Sequence, residues 1–192
     1  DQHVPFYRDH WTAAQKKSAS AGDLNSLPLL EKSAIRGNEF AFVRDDMHPR
    51  HIRYFATSGS TGTPIKTIWT PEEIRNSLAV REVRSAKWAA VSFCQPRATF
   101  SGRMVEPDPN SKGPFYRFNA AEQQVYFSAF HLRPDTVKYY VNALQRHKVV
   151  WMTGYAVSFF LLAQLVLQQD LLVEGIHAVI TTSEKLTPEM RF

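Results

Sequence analysis

The chain has 192 residues, of which 44% are hydrophobic and 21% are charged. This composition excludes an intrinsically disordered protein and predicts a single compact domain over residues 1–192. The formal net charge is +5, but no run of Lys and Arg is longer than two, so nucleic-acid binding is not predicted. Cys94 is the single cysteine, so an intrachain disulfide is excluded and a reducing cytoplasm is favoured. We expect the Cys94 side chain to be buried.

The N-terminal part of the sequence predicts helices followed by a β-hairpin. Residues 7–20 have the periodicity of an amphipathic helix, and 31–36 form a short helix before a glycine. Strands are predicted at 50–57 and 65–69, on either side of a glycine-rich tip. A threonine and a proline then open a helix over 70–88.

The remaining sequence predicts alternating strands and helices. The strands are expected at 98–105, 124–128, 149–153 and 178–182, and the helices at 133–147 and 155–168. The uncharged stretch 149–169 is long enough to cross a bilayer, but Gly154 divides it into a buried strand and a core helix, so no membrane span is predicted. A strand, a helix and a second strand imply a parallel pair, hence an α/β fold with a mixed sheet and flanking helices.

The strongest chemical signal is the glycine-rich loop of the predicted hairpin. Its glycines let backbone N–H groups converge on one point, and its hydroxyl groups add further donors for a polyphosphate. Lys66 follows the loop and supplies a positive charge, although not directly after the second glycine as in a Walker loop. A plain hairpin turn is the alternative, but it does not need so many hydroxyl residues. The candidate phosphate-binding residues are Thr57, Ser58, Gly59, Ser60, Thr61, Gly62, Thr63 and Lys66.

The stretch from Thr57 to Pro64 resembles the phosphate-binding signature of the adenylate-forming superfamily, the acyl- and aryl-CoA ligases. More narrowly, the chain resembles the phenylacetate–CoA ligase branch and its capsule-biosynthesis relatives. Four further blocks follow the order of that branch: Leu27–Lys32, Phe127–Leu132, Gly154–Ser158 and Ile180–Leu186. The resemblance implies that residues 1–192 are the N-terminal nucleotide-binding part of a longer ligase, with the C-terminal portion absent.

The same resemblance implies roles for residues outside the loop. Ser183, Glu184 and Lys185 are expected at the adenine, and His131 is the candidate catalytic residue near the reacting carboxylate. Tyr155 and Ala156 are expected to bind the acyl substrate, although Ala156 stands where the family has a proline. For His131 the alternative is a hydrogen-bonded structural histidine, and for Glu184 it is a cap of the helix that follows.

The implied activity uses ATP and Mg²⁺ to convert a carboxylic acid into an acyl-AMP, and then passes the acyl group to coenzyme A or another acceptor. The magnesium ligand is expected beyond Phe192, so this chain alone is not expected to catalyse adenylation. No metal site is predicted within the chain, since its histidines lack ligand spacing. The alternative is a non-catalytic nucleotide-binding or assembly module, and exposed apolar surface predicts self-association as a homo-oligomer.

Overall fold

The computed structural model describes residues 2–56 and 65–191. They fall into two compact units, Asp1–Ser77 and Leu78–Phe192, and each unit is described by itself. Since a domain can contain more than one compact unit, the single domain predicted for residues 1–192 stays a prediction. The glycine-rich loop, residues 57–64, lies outside the described residues.

The first unit contains short helices and a two-stranded sheet. Its elements are α1 (Pro5–His10), α2 (Ala13–Ser20), α3 (Lys32–Ile35), 3₁₀ turns at Glu39–Phe42 and Pro49–His51, β1 (Arg53–Ala56) and β2 (Lys66–Trp69). The two strands pair antiparallel, with Arg53 opposite Trp69, which confirms the predicted hairpin. The first strand begins later than expected because the 3₁₀ turn occupies the residues before it.

The single helix predicted over residues 7–20 is wrong, because the chain leaves the helical conformation between α1 and α2. Trp11 is extended, with φ −83° and ψ 135°. Thr12 then caps α2: its hydroxyl accepts from the Gln15 N–H at 3.3 Å, and the Gln15 side chain accepts from the Thr12 N–H at 2.8 Å. This reciprocal capping box starts a new helix where periodicity alone predicts continuity.

The second unit has an α/β fold. Helix α4 (Pro71–Arg81) begins in the first unit and ends in the second, where a π-helical segment extends it over Glu82–Ala86. The elements that follow are β3 (Arg97–Ser101), β4 (Tyr116–Asn119), β5 (Gln124–Ser128), α5 (Val137–Arg146), β6 (Trp151–Gly154), α6 (Ala156–Gln168), β7 (Ala178–Thr181) and a 3₁₀ turn at Pro188–Arg191. The predicted bounds of β5 are confirmed. β3 ends earlier than predicted, and β4 was not predicted.

The five strands of this unit form a mixed sheet in the order β4-β5-β3-β6-β7. β3 is the central strand and runs parallel to both β5 and β6, and β7 runs parallel to β6. Only β4 is antiparallel, and it closes one edge beside β5. The carboxyl ends of the four parallel strands therefore share one border of the sheet, here called the carboxyl edge.

The main core lies between one face of the sheet and helices α5 and α6. Phe100 of β3 is fully buried, and its ring centroid lies 5.1 Å from that of Phe127 and 5.5 Å from that of Phe159. Trp151 belongs to a smaller buried cluster, and its indole N–H donates to the Ser92 carbonyl at 2.9 Å. Because side chains alternate along β6, Trp151 points to the face opposite the main core.

The uncharged stretch 149–169 forms β6 and α6, as predicted. Among the described residues, no helix is both long enough and apolar enough to cross a membrane. The helix is instead an ordinary core helix, with Phe159, Leu162 and Leu165 buried.

The expectation that Cys94 is buried is wrong, because its side chain is exposed. It lies in a turn before β3, where its backbone N–H donates to the Ser92 hydroxyl at 3.1 Å. Hydrophobic character alone does not place a cysteine inside when the local chain forms a surface turn.

Candidate functional site

The carboxyl edge brings together two of the predicted blocks at the point where β6 and β7 end. Gly154 and Thr181 are partners in the parallel register. One residue further on, the Thr182 N–H donates to the Gly154 carbonyl at 2.8 Å. The residues that follow these strands, 155–156 and 182–185, therefore emerge side by side. In open α/β sheets this border is where ligands bind.

Gly154 allows this close arrangement. Its φ is 145°, and a Cβ atom at this position would lie 1.9 Å from the carbonyl oxygen of Phe100. Only glycine tolerates such an approach between two backbones. The chain thus turns directly from the end of β6 into α6, which begins at Ala156.

Glu184 caps the start of α6. Its Oε2 accepts a hydrogen bond from the Val157 N–H at 3.0 Å, while the N-cap residue, Tyr155, makes no side-chain cap. A carboxylate here satisfies a free helix donor and interacts favourably with the helix dipole. Glu184 therefore caps α6, and the alternative in which it caps the helix that follows it in the chain, at Pro188–Arg191, is not what the structure shows.

Ser183 and Lys185 flank this capping carboxylate and are both exposed. Ser183 has a φ of 66°, in the left-handed region that non-glycine residues seldom adopt. Its hydroxyl lies 3.5 Å from that of Thr182. The edge therefore offers hydroxyl groups and an ammonium group to solvent, a set that suits a polar, anionic ligand.

Tyr155 and Ala156 lie at the base of the same edge. Tyr155 is half-buried, whereas Ala156 is almost completely buried at 1% exposure. Ala156 lines an apolar cavity of about 640 Å³ between α6, β7 and the C-terminal turn. The other residues of its wall include Met152, Phe159, Thr181, Met190 and Arg191. The two predicted acyl-site residues thus adjoin the predicted adenine residues, and one of them adjoins a large apolar space.

His131 is buried, at 2% exposure, with both ring nitrogens in hydrogen bonds. Nε2 lies 2.8 Å from the carbonyl oxygen of Asp108, and Nδ1 lies 2.7 Å from the hydroxyl oxygen of Ser128. Because a carbonyl oxygen only accepts, Nε2 carries the proton, and in the neutral ring Nδ1 accepts from the hydroxyl group. Direct catalysis by His131 therefore requires one of these bonds to open, and its catalytic role stays a prediction.

The groups that surround this histidine were not predicted from the sequence. The Tyr140 hydroxyl donates to the Ser128 carbonyl at 2.7 Å, and the Thr136 hydroxyl donates to the His131 carbonyl. Burial raises the pKa of Tyr140 above its ordinary value, so this phenol remains a donor. Ser128 alone could have been found from the sequence, because it stands three residues before His131 in the same block.

The predicted phosphate-binding residues Thr57–Thr63 lie outside the described residues, and their role stays a prediction. Lys66, the first residue of β2, is exposed and belongs to the first unit. The pKa of the Glu39 carboxyl lies below its ordinary value, first because its own backbone N–H bonds to it, and in lesser part because of the charge of Lys66. Lys66 therefore already has an acidic neighbour.

A group of possible metal ligands lies in the first unit. Side-chain atoms of His3, Asp45 and Asp46 are all within 4.8 Å of one another, and all three residues are exposed. Both carboxylates already have cationic partners, since Arg8 pairs with Asp45 and Arg44 pairs with Asp46. A cation would have to displace these ion pairs, so the chemistry of the group does not favour a metal.

Comparison with known proteins gives a distant similarity. No protein-family model matches the chain. It is 23% identical to the protein CapK of Staphylococcus aureus over 176 residues, which are 91% of this chain and 38% of CapK. The chain therefore spans well under half the length of that relative.

Proposed function

We propose that the chain is the N-terminal, nucleotide-binding part of an ATP-dependent adenylate-forming ligase of the phenylacetate–CoA ligase branch. The observation that carries the proposal is the carboxyl edge, where residues 155–156 and 183–185 adjoin. These two blocks have the roles of acyl and adenine binding in the family that the sequence resembles. The distant similarity to CapK, over 91% of the chain, is in line with the capsule-biosynthesis relatives of that branch.

The proposed reaction begins when a carboxylate attacks the α-phosphate of ATP, which forms acyl-AMP and releases pyrophosphate. The acyl group then passes to the thiol of coenzyme A or to another acceptor. Such a reaction needs reactants held in line and charge stabilised on the phosphate, more than it needs a covalent protein intermediate. The exposed Ser183 hydroxyl and Lys185 ammonium suit the binding of a nucleotide at this edge. A cytoplasmic location, where ATP and coenzyme A are available, belongs to the same proposal.

Magnesium would neutralise phosphate charge in this reaction. Glu184 is the carboxylate that the described chain places at the junction of β6 and β7, and it already accepts from the Val157 N–H. The described residues of this junction thus provide no free carboxylate for the ion. The magnesium ligand that the resemblance implies is therefore not supplied by the described residues of this junction.

A second function is a non-catalytic nucleotide-binding or assembly module. The hydrogen bonds at both His131 ring nitrogens favour this second function, because no nitrogen of this histidine is then free to contact the reacting carboxylate. Isotope exchange between pyrophosphate and ATP, screened over carboxylic acids, separates the two functions. Exchange with any acid supports the ligase, whereas nucleotide binding without exchange supports the module.

The first test is calorimetric titration of MgATP and AMP into the full-length protein. We expect saturable binding that Thr61→Ala weakens about tenfold, the effect of losing one charge-assisted hydrogen bond. Thr67→Ala is the matched control, since this hydroxyl lies outside the loop and donates to the Phe55 carbonyl at 3.0 Å. Absence of nucleotide binding in well-folded protein would contradict both functions.

A further inference from the structure

The connection between β3 and β4, residues 102–115, passes over the end of β5. β3 ends and β4 begins at the carboxyl edge, and β5 lies between them in the sheet. Within this loop Val105 and Phe115 are buried, at 5% and 2% exposure. Between these two anchors the chain is largely exposed, so its position depends on contacts made by its backbone.

One such contact comes from His131. Its ring joins the Ser128 hydroxyl at 2.7 Å to the Asp108 carbonyl at 2.8 Å, and this three-part contact is here called the His131 latch. The Ser111 N–H donates to the same carbonyl at 3.1 Å, which closes a turn inside the loop. The Phe115 ring stacks on the imidazole with centroids 5.2 Å apart. A buried side chain thus fixes an exposed loop to the end of β5.

While the latch is closed, His131 has no free ring nitrogen, and its route to a ligand is the loop that it holds. The loop carries Arg103, which is exposed and lies two residues after the end of β3. Its guanidinium lies 4.9 Å from the centroid of the Tyr126 ring. Among the described residues, no carboxylate lies within salt-bridge distance of Arg103. Stacking on an aromatic ring orients a guanidinium while leaving its N–H groups available to an anion.

We propose that Arg103 binds the phosphate of the nucleotide at the carboxyl edge, and that His131 is a positioning residue that holds the Arg103 loop through the latch. The identity of the ligand rests on the proposed function, whereas the latch rests on the hydrogen bonds alone. Arginine is suited to this contact because its planar fork of donors matches phosphate oxygens.

The latch is tested by amide hydrogen exchange in the ligand-free, full-length protein. His131→Phe keeps the stacking with Phe115 but removes both hydrogen bonds, and we expect amides of residues 106–113 to exchange about tenfold faster while those of α6 are unchanged. Ser128→Ala is the milder variant should the first fail to fold. His177→Gln, at an exposed histidine, is the control. Unchanged exchange in the loop in a folded variant would overturn the latch.

The ligand is tested by titrating AMP and adenosine into the same protein. We expect Arg103→Gln to weaken AMP binding about tenfold and to leave adenosine binding unchanged, because only AMP has the phosphate. We expect His131→Phe to weaken AMP binding as well, and the double variant to be no weaker than Arg103→Gln alone, since both act through one contact. ¹⁵N shifts of the His131 ring should not change when AMP binds.

The outcomes separate this inference from the proposed function. Normal AMP binding by Arg103→Gln would overturn the inference and leave the function standing, as would additive losses in the double variant or a ligand-dependent shift at the His131 ring. Failure of the wild-type protein to bind AMP would instead overturn the function and, with it, the role of Arg103.

Discussion

Gly154 and Phe100 are register partners in β6 and β3, and their backbones approach so closely that a Cβ atom on Gly154 would lie 1.9 Å from the Phe100 carbonyl oxygen. Gly154 also has a φ of 145°. The end of β6 therefore has no room for a side chain, and the start of α6 depends on the glycine at this position.

Gly154→Ala is expected to destabilise the second unit by about 3 kcal/mol or more, because the collision is with backbone and the conformation is strained. Urea unfolding followed by circular dichroism measures this. Gly175→Ala is the matched control: its φ is 77° but nothing lies within 4 Å of the added Cβ, so about 1 kcal/mol is expected. Equal losses in the two variants would contradict the steric argument.

Glu184→Ala is expected to lower the free energy of unfolding by about 1 kcal/mol, since the Val157 N–H loses its acceptor at the start of α6. Glu184→Gln should recover part of this loss, because the amide oxygen can accept the same bond without the charge. Denaturant titration at pH 7 compares the three proteins. An alanine variant as stable as the wild type would show that water replaces the carboxylate at no cost.

The stability of the second unit is expected to fall as the pH decreases below about 6.5, in part because of His147. Burial, with a smaller effect from Arg146, lowers the pKa of His147 below its ordinary value of 6.5. Its Nε2 is buried and has no partner among the described atoms, and its ring stacks on Phe118 with centroids 4.0 Å apart. The unfolded chain therefore binds a proton at higher pH than the folded chain, and acid favours unfolding.

The measurement for His147 is the free energy of unfolding between pH 5 and pH 8. His147→Phe should reduce the loss of stability in acid, because a phenyl ring has no proton to bind. His177→Gln, at an exposed position, is the matched variant that removes a different histidine. If both variants lose stability in acid as the wild type does, other groups must account for it.

The 192-residue chain is expected to self-associate through the apolar cavity beside α6. Leu167 lines this cavity and is 80% exposed, and surfaces of this kind favour association in water. Leu167→Glu should reduce the weight-average mass in sedimentation equilibrium. Leu24→Glu is the control, since Leu24 is 71% exposed but lies in the first unit. A monomer over the whole concentration range would refute the expectation.

The local sequence pattern was sufficient to predict many of the strands and helices of the second unit. Gln124–Ser128 contains three consecutive strong strand formers, and Gly154 separates a strand from a long apolar helix. The predictions of β5, β6 and α6 on these grounds are confirmed. β4 was missed because Tyr116–Asn119 is a short edge strand that antiparallel pairing with β5 stabilises, which a local pattern does not reveal. Thr12 was missed as a helix start because the helical periodicity continues across it, although Thr12 and Gln15 have the spacing of a capping box.

The candidate site was likewise predicted only in part from the sequence. The sequence indicated the blocks around Tyr155 and Ser183, and the parallel register of β6 and β7 brings them together. It did not indicate that the Asp108 carbonyl would bond to His131, because that contact joins an irregular loop to a distant residue. Nor did it indicate that Glu184 would cap α6, which precedes it in the chain. Such contacts depend on the tertiary fold and not on local propensity.

The central place of β3 also bears on how the sheet folds. Arg97 pairs with Gln124 on one side and with Trp151 on the other, and both partners lie far along the chain. β4 and β5, by contrast, are joined by a short turn. Because closing a long loop costs more chain entropy before any contact forms, the β4–β5 hairpin should form early and β3 should join late. The strand that holds the sheet together would then be among the last to enter it.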